Sequence, residues 1–533
     1  MDSSKTKRHK PTNNPPIIDQ TLHNDPINDS NKNPIVEKTL ISNNDHHDPK
    51  DRISSLPDSI LCHILSKLPT KTAVATAVLS TQWKHLFASI PNLSLHIDDA
   101  AVPNNDQPSP NFANFMSHLL TVTLRGARLR EFVLCCSHDY GNDRIASWIS
   151  AALGLNPIKL LIFFSAKNTS MSVPSFFNSS TIEFLAWSQQ FAVKVPSKVC
   201  LRNLKQLFLV LVRFPDGSSL GRVLDGCPVL EDLSLDGCEF EGTEILQICS
   251  GSLRLLALTN CCLESRYQME IDTPVLRVLY YDGYAARHYP SLNLKTLVKA
   301  HVDIGLSKKL LEEADVDVLQ DYDQSVADLV GACCDVTILY LSGASMSAIR
   351  CSSSPMPFFH NLMKLELGTL YRLGWELLPH LLERSPNLGV LAFKWGLSAE
   401  IGCFTIFQSG LPNNVVPACL SLRLLSISFG EFNGEPDGIK LVCYFLRKAK
   451  VLKQMKFNFC SSMPLEKQLS TWTKLVLLQS YSKNCKMDFP REVEDNIVNF
   501  CQLDGSQKIT KEYVREHEME IRRSLDVVRR GSA

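Results

Sequence analysis

The chain has 533 residues, 44% of them apolar and 21% charged, with 55 basic against 55 acidic side chains. That length suggests about three to four domains, with enough apolar residues to bury a core through most of it. The zero net charge argues against a broad nucleic-acid surface or a basic membrane face. Apolar runs such as Leu160–Phe164 and Leu207–Val212 are strand-length, far below the roughly 18 residues of a membrane span.

Residues 1–50 lack Phe, Trp and Tyr and are rich in Asn, Asp, Pro and Lys. Such a segment buries too little apolar surface to offset its ordering entropy, so a disordered tail is expected. Its run Lys5-Thr6-Lys7-Arg8-His9-Lys10 is either a solvated tail or a nuclear-import signal. No apolar stretch of an export signal is present there. The 18 cysteines therefore read as reduced, mostly buried side chains, and the compartment as cytoplasm and/or nucleus.

Composition changes at Asp51. Ile60, Leu61, Ile64, Leu65 and Leu68 recur at helical spacing after Leu56-Pro57, with Asp58 near the positive helix end. Pro69 ends that helix, and Thr70 is placed to cap a second carrying Ala73, Val74, Ala77 and Val78. Ser80 or Thr81 opens a third with Trp83, Leu86, Phe87 and Ile90. A unit of this size, residues 51–95, is near the lower limit for independent stability. It also carries more apolar residues than one small core needs, which points to a partner covering one face.

The middle repeats the template Leu-x-x-Leu-x-Leu, other apolar residues allowed. Copies fall at Leu129/Phe132/Leu134, Ile158/Leu161/Phe163, Ile182/Leu185/Trp187 and Leu204/Leu207/Leu209. The sharpest are Leu230/Leu233/Leu235, Leu253/Leu256/Leu258 and Leu276/Leu279/Tyr281, and a weak copy lies near Leu294 and Leu297. Later ones are Val336/Leu339/Leu341, Leu362/Leu365/Leu367, Leu388/Leu391/Phe393, Leu422/Leu425/Ile427 and Leu452/Met455/Phe457. Most are spaced in or near the leucine-rich-repeat range of roughly 20–29 residues. Each unit supplies a short strand and a returning segment, and stacking closes a continuous core, so an α/β solenoid is expected. Between the copies at Leu294 and Val336, Glu312, Glu313, Asp315, Asp317, Asp321 and Asp323 read as an acidic linker. Val326, Leu329, Val330 and Cys333 then read as an amphipathic helix. Residues 504–533 are a charged tail.

Catalytic and metal signatures are missing. No cysteine pair has Cys-x-x-Cys spacing, and Cys135-Cys136 with His138 and Asp139 reads as the buried end of a strand. Phosphate-loop, metalloprotease and serine-hydrolase motifs are likewise not found. No metal, cofactor or catalytic residue is expected.

Residues Asp51-Arg52-Ile53-Ser54-Ser55-Leu56-Pro57-Asp58 through Pro69-Thr70-Lys71, with Val78-Leu79-Ser80 and Trp83-Lys84-His85-Leu86, resemble the F-box of plant F-box proteins. Gly226-Cys227-Pro228-Val229-Leu230-Glu231-Asp232-Leu233 resembles the leucine-rich repeats that accompany it. Val416-Pro417-Ala418-Cys419-Leu420, Phe429-Gly430, Tyr444-Phe445-Leu446 and Ala449–Met455 are similar to the FBD region of the same family. One departure is Thr81-Gln82, where the family usually carries basic residues.

The resemblance implies an F-box at 51–95, a repeat solenoid at 125–410 and an FBD region at 411–480 that supplies the last repeats and a cap. It implies a substrate-recognition subunit of an SCF-type ubiquitin ligase, acting in ubiquitin-dependent protein degradation. Its partners would be the adaptor subunit, the cullin and an unidentified target protein, with no nucleic acid and no membrane. An alternative is a repeat scaffold not engaged with a ligase. The adaptor-binding residues would be Leu56, Pro57, Ile60, Leu61, Ile64, Leu65, Leu68, Pro69, Val78 and Trp83. The same side chains also suit the unit's own core. Because side chains alternate along a strand, the x positions line the exposed concave sheet. That places Phe208, Ser234, Ala257 and Tyr280 on the target-facing surface, with Gln206, Asp232, Leu255 and Val278 in the preceding row.

Overall fold

A computed structural model describes residues 53–490, except 54, 100–108, 165–173, 189–191, 262–266, 306–315, 371, 398–401, 410–415 and 483. The expected N-terminal tail, the charged tail at 504–533 and Glu312, Glu313 and Asp315 lie outside the described residues.

Three short helices open the fold: α1 (Asp58–Leu65), α2 (Thr70–Ala75) and α3 (Trp83–Leu86). Pro57 and Pro69 are the cap residues of the first two, with extended backbone that turns the chain into each helix. Thr70 is thus the first helical residue rather than the cap. Its hydroxyl instead accepts the His96 N–H at 3.2 Å, tying α2 to the first strand. The Ser80 hydroxyl accepts the Trp83 N–H at 3.4 Å and starts α3. Beyond Ala75 the chain tightens into a 3₁₀ turn, Thr76–Val78, which turns Val78 outward instead of onto the face of Ala73.

Fifteen strands among the described residues then pair in parallel, in chain order. They are β1 (Leu93–Asp98), β2 (Leu129–Cys136), β3 (Lys159–Phe164), β4 (Phe184–Ser188) and β5 (Gln206–Val210). Next come β6 (Asp232–Asp236), β7 (Leu255–Cys261), β8 (Val278–Gly283), β9 (Lys299–Ile304) and β10 (Ile338–Leu341). The last are β11 (Lys364–Leu367), β12 (Val390–Phe393), β13 (Ser426–Phe432), β14 (Gln454–Phe459) and β15 (Lys486–Asp488). The sheet thus begins inside the last residues of the helical unit and runs on through the C-terminal region.

The repeat template explains the pairing. Leu230, Leu233 and Leu235, and their equivalents Leu253, Leu256 and Leu258, are wholly or almost wholly buried. Each strand is entered through the same pair of bonds. The N–H groups of Glu231 and Asp232 donate to the Lys205 carbonyl at 2.8 and 3.0 Å. Those of Arg254 and Leu255 donate to Glu231 at 2.7 and 2.9 Å, and those of Arg277 and Val278 to Arg254 at 2.8 and 3.0 Å. The backbone of each repeat therefore satisfies that of the next. Gly226 keeps the return compact, because a Cβ there would run into Val199.

Two copies have a different phase from the sequence reading. In β3 the buried residues are Leu160, Ile162 and Phe164, while Ile158 and Phe163 are exposed. In β13 they are Leu424, Ile427 and Phe429, while Leu422 and Leu425 are exposed. At β3 the slip is one residue, which moves a strand's side chains to the other face; at β13 the template shifts by two residues and Ile427 stays inward. In Lys159-Leu-Leu-Ile-Phe-Phe164 nearly every residue is apolar, so hydrophobicity does not select the phase.

The returning segments vary. Between β6 and β9 they include a second parallel sheet of Ile245–Cys249, Gln268–Asp272 and Ser291–Asn293. From Val316 onward they are mainly helical. The helix Val316–Ala332 buries Val326, Leu329 and Val330, as the periodicity predicts. It also contains Asp317, Asp321 and Asp323, which the sequence reading put in a linker. At the C-terminal end the rings of Phe393, Phe429, Phe457 and Phe489 stack successively at 5.2, 5.2 and 5.5 Å. Gly430 allows β13 to approach β12, since a Cβ would strike the Lys394 carbonyl.

Candidate functional site

Two surfaces combine exposure with unusual chemistry. The first is on the helical unit. Leu61, Leu65, Trp83, Leu86, Phe87 and Ile90 are buried and fill its interior. Ile60, Ile64 and Leu68 lie on the other side, 47%, 38% and 37% exposed, and Val78 and Leu79 are 87% and 65% exposed. Helical geometry explains the division: Ile60 and Ile64 are one turn apart, and Leu61 and Leu65 form a parallel line about 100° away. Of the ten side chains expected to meet a partner, Leu61, Leu65 and Trp83 are therefore internal and correct that expectation. Leu56 is half-buried, and Pro57 and Pro69 are exposed. Gln82, at the unusual position, donates from Nε2 to the Asp58 carboxylate at 3.2 Å.

A buried carboxylate at the end of β1 ties that strand to the segment after β2. Asp99 is fully buried and accepts from the N–H groups of Ser137 at 2.7 Å and His138 at 3.0 Å, and contacts His138 Nδ1 at 2.9 Å. Burial acts to raise its pKa, but these hydrogen bonds outweigh it, and the net shift is downward. His138 is thus turned to Asp99. Cys136 beside it is buried. Among the described residues no group of three His, Cys, Asp or Glu side chains is placed to hold a metal ion.

The second surface is the half-buried face of the sheet. Phe208, Ser234, Ala257 and Tyr280 are register partners on β5, β6, β7 and β8. The same row continues through His301 on β9, Tyr340 on β10 and Glu366 on β11. Phe208 is covered on one side by Phe184 of β4, the ring centroids 5.2 Å apart. Tyr280, His301 and Tyr340 form a ladder, with centroids at 5.5 and 4.0 Å and the second pair nearly coplanar in orientation at 4°. Lys299 donates to the Tyr280 hydroxyl at 2.6 Å, its ammonium 4.8 Å from that ring's centre. The Tyr340 hydroxyl lies close to Gly368, where a Cβ would meet it at 3.0 Å, and faces Asp303 and Trp395. Burial and the Asp303 carboxylate push this phenol up to about 12. Trp395 is 66% exposed.

Above the ladder, Asp236, Asp282 and Asp303 occupy the next outward row of β6, β8 and β9. Burial and the like charge of Asp303 raise the Asp282 carboxyl above its usual range. Burial lowers His301, against the pull of Asp303 and Asp282. Sequence reasoning found Phe208 and Tyr280 but missed His301, Tyr340, Trp395 and the carboxylates. Extending the alternation two repeats further gives His301 and Tyr340, but the weak copy near Leu294 obscured the phase there.

Comparison with known proteins agrees with this arrangement. The F-box domain family matches residues 53–95, the LRR repeats of the FBD-associated F-box protein At5g56370 match 145–300, and FBD matches 412–457. F-box/LRR-repeat protein At3g59210 of Arabidopsis thaliana is 32% identical over 437 residues, covering 78% of this chain and 89% of its own. F-box/LRR-repeat protein At4g14103 of the same organism is 32% identical over 385 residues, covering 69% of this chain and 98% of its own. The chain belongs to the plant F-box/LRR-repeat family, with an FBD region near its C-terminus.

Proposed function

We propose that this protein is the substrate-recognition subunit of an SCF-type ubiquitin ligase, without catalysis of its own, working in the cytoplasm or nucleus. Pro57, Ile60, Ile64, Leu68, Pro69 and Val78 dock on the adaptor subunit, which connects the chain to the cullin. The repeats stack as a solenoid whose half-buried strand face is concave and receives the target protein. The observation that carries this reading is the set of aliphatic side chains left outside a helical unit whose core is already full. Exposed apolar clusters of this kind mark interaction surfaces, and a helical face laid in a partner's groove is a common mode of recognition.

The test is co-purification of the full chain with adaptor and cullin, for the wild type and for Ile64→Glu with Val78→Glu. The wild type is expected to bring down both partners and the variant neither, with unchanged unfolding temperature. Equal recovery by the variant contradicts this docking face. Failure of the wild type to bind favours an interaction scaffold outside a ligase.

A further inference from the structure

The target-binding reading of the sheet face leaves the chemistry of the target open, and the charges around the ladder narrow it. Between β9 and β12 the lysines on this face are engaged. Lys299 is held by the Tyr280 hydroxyl at 2.6 Å, and Lys364 and Lys394 both pair with Glu366, at 2.6 and 3.3 Å. Burial works to raise the Glu366 carboxyl, but the two lysines outweigh it and hold it down. By contrast, Asp236, Asp282 and Asp303 pair with no lysine or arginine among the described residues. They stand together on one row, and their mutual repulsion is already felt at Asp282. Beside Asp303 lies Tyr340 of the ladder, whose hydroxyl also faces the exposed Trp395.

We propose that the face spanning β6 to β12 receives a basic segment of the target, its lysine or arginine side chains meeting Asp236, Asp282 and Asp303 and stacking against Trp395. The inference rests on the target-binding reading above. Charge complementarity selects the occupant: an acidic segment would add to the repulsion, and a purely apolar one would bury these carboxylates without partners. A cation beside aromatic faces gains further attraction. The tight Tyr280–His301–Tyr340 ladder fixes the surrounding surface, so the carboxylates are presented on a rigid strand framework.

The experiment titrates the full chain with a fluorescent peptide carrying three arginines among glycine and serine, and with the same peptide carrying three glutamates. The wild type is expected to bind the arginine peptide, more weakly as salt is raised, and not the glutamate peptide. Asp282→Asn with Asp303→Asn should weaken binding at least tenfold, and Trp395→Ala, an exposed position, several-fold. If the double variant is unstable, the Trp395→Ala variant decides. No wild-type binding of the arginine peptide, equal binding of both peptides, or unchanged binding by the variants would overturn the inference. Adaptor binding is measured on the same samples. Selective peptide binding that the variants lose supports the inference even where the wild type binds no adaptor, a result that would count against the ligase reading alone.

Discussion

Leu61 and Leu65 of the helical unit and Leu233 and Leu235 of the sheet are equally buried, yet their neighbours differ. Beside the first pair stand Ile60 and Ile64, which remain apolar and exposed. Beside the second stand Asp232, Ser234 and Asp236, which are polar. The sheet meets its need for burial within the chain, repeat against repeat, and its open face is free to carry polar and aromatic chemistry. The helical unit keeps an apolar face that only another surface can cover. In the function proposed above, one region serves general docking and the other discrimination between partners.

The sharpest way to break this comparison is to truncate residues on either side of each division. Phe429→Ala should destabilise by about 3–5 kcal/mol, because it opens the ring stack between Phe393 and Phe457. Leu424→Ala should cost about 2–5 kcal/mol, while Leu425→Ala on the exposed side should stay within about 0.5 kcal/mol. Denaturant unfolding of the two leucine variants tests the phase assigned to β13; the reverse order would show that the sequence phase was right.

That phase also shows what the sequence could and could not reveal. The repeat, its strands and their alternation were legible because Leu230, Leu253 and Leu276 open clean copies with polar x positions. At β3 neighbouring positions are apolar on both faces, so the period survives and the phase does not; at β13 the strand alternates cleanly as Ser426-Ile427-Ser428-Phe429, but Leu422, Leu424 and Leu425 before it offer two starting points for the template. The same ambiguity covers α1, where Ile60, Leu61, Ile64 and Leu65 are all apolar and only packing against α3 and the 3₁₀ turn Phe87–Ser89 that follows it decides which line turns inward. The ladder of His301 and Tyr340 needed the strand register, which spans residues far apart in the chain.

A smaller effect comes from Asp323, on the helix Val316–Ala332, whose carboxyl is raised to about 6 by burial. The folded state then binds this proton more tightly than the unfolded chain, whose value is about 3.9. Its contribution to stability falls as pH rises from about 4 through about 6. Asp323→Asn should therefore stabilise the protein at pH 7.5 by no more than about 1 kcal/mol, allowing for solvent screening, and give no gain at pH 3.5. Thermal unfolding at the two values checks the sign. The smallest effect is expected for Gln82→Arg, which replaces an exposed hydrogen bond to Asp58 with an exposed ion pair. Stability should change by less than about 1 kcal/mol, since such pairs contribute little.

The central claim is that one small helical unit divides adjacent aliphatic side chains between its own core and a partner. Its most direct test is a titration of the full chain onto immobilised adaptor subunit, with unfolding followed on the same samples, for Ile60→Ala with Ile64→Ala and for Leu65→Ala. Each aliphatic side chain buried at the interface is worth roughly 1.5–3 kcal/mol, and truncation to Ala removes most of that. The outward pair should therefore lose at least tenfold in affinity with its unfolding temperature unchanged. Leu65→Ala should lower the unfolding temperature. Wild-type affinity in the outward pair, or loss of stability there with none at Leu65, would contradict the account.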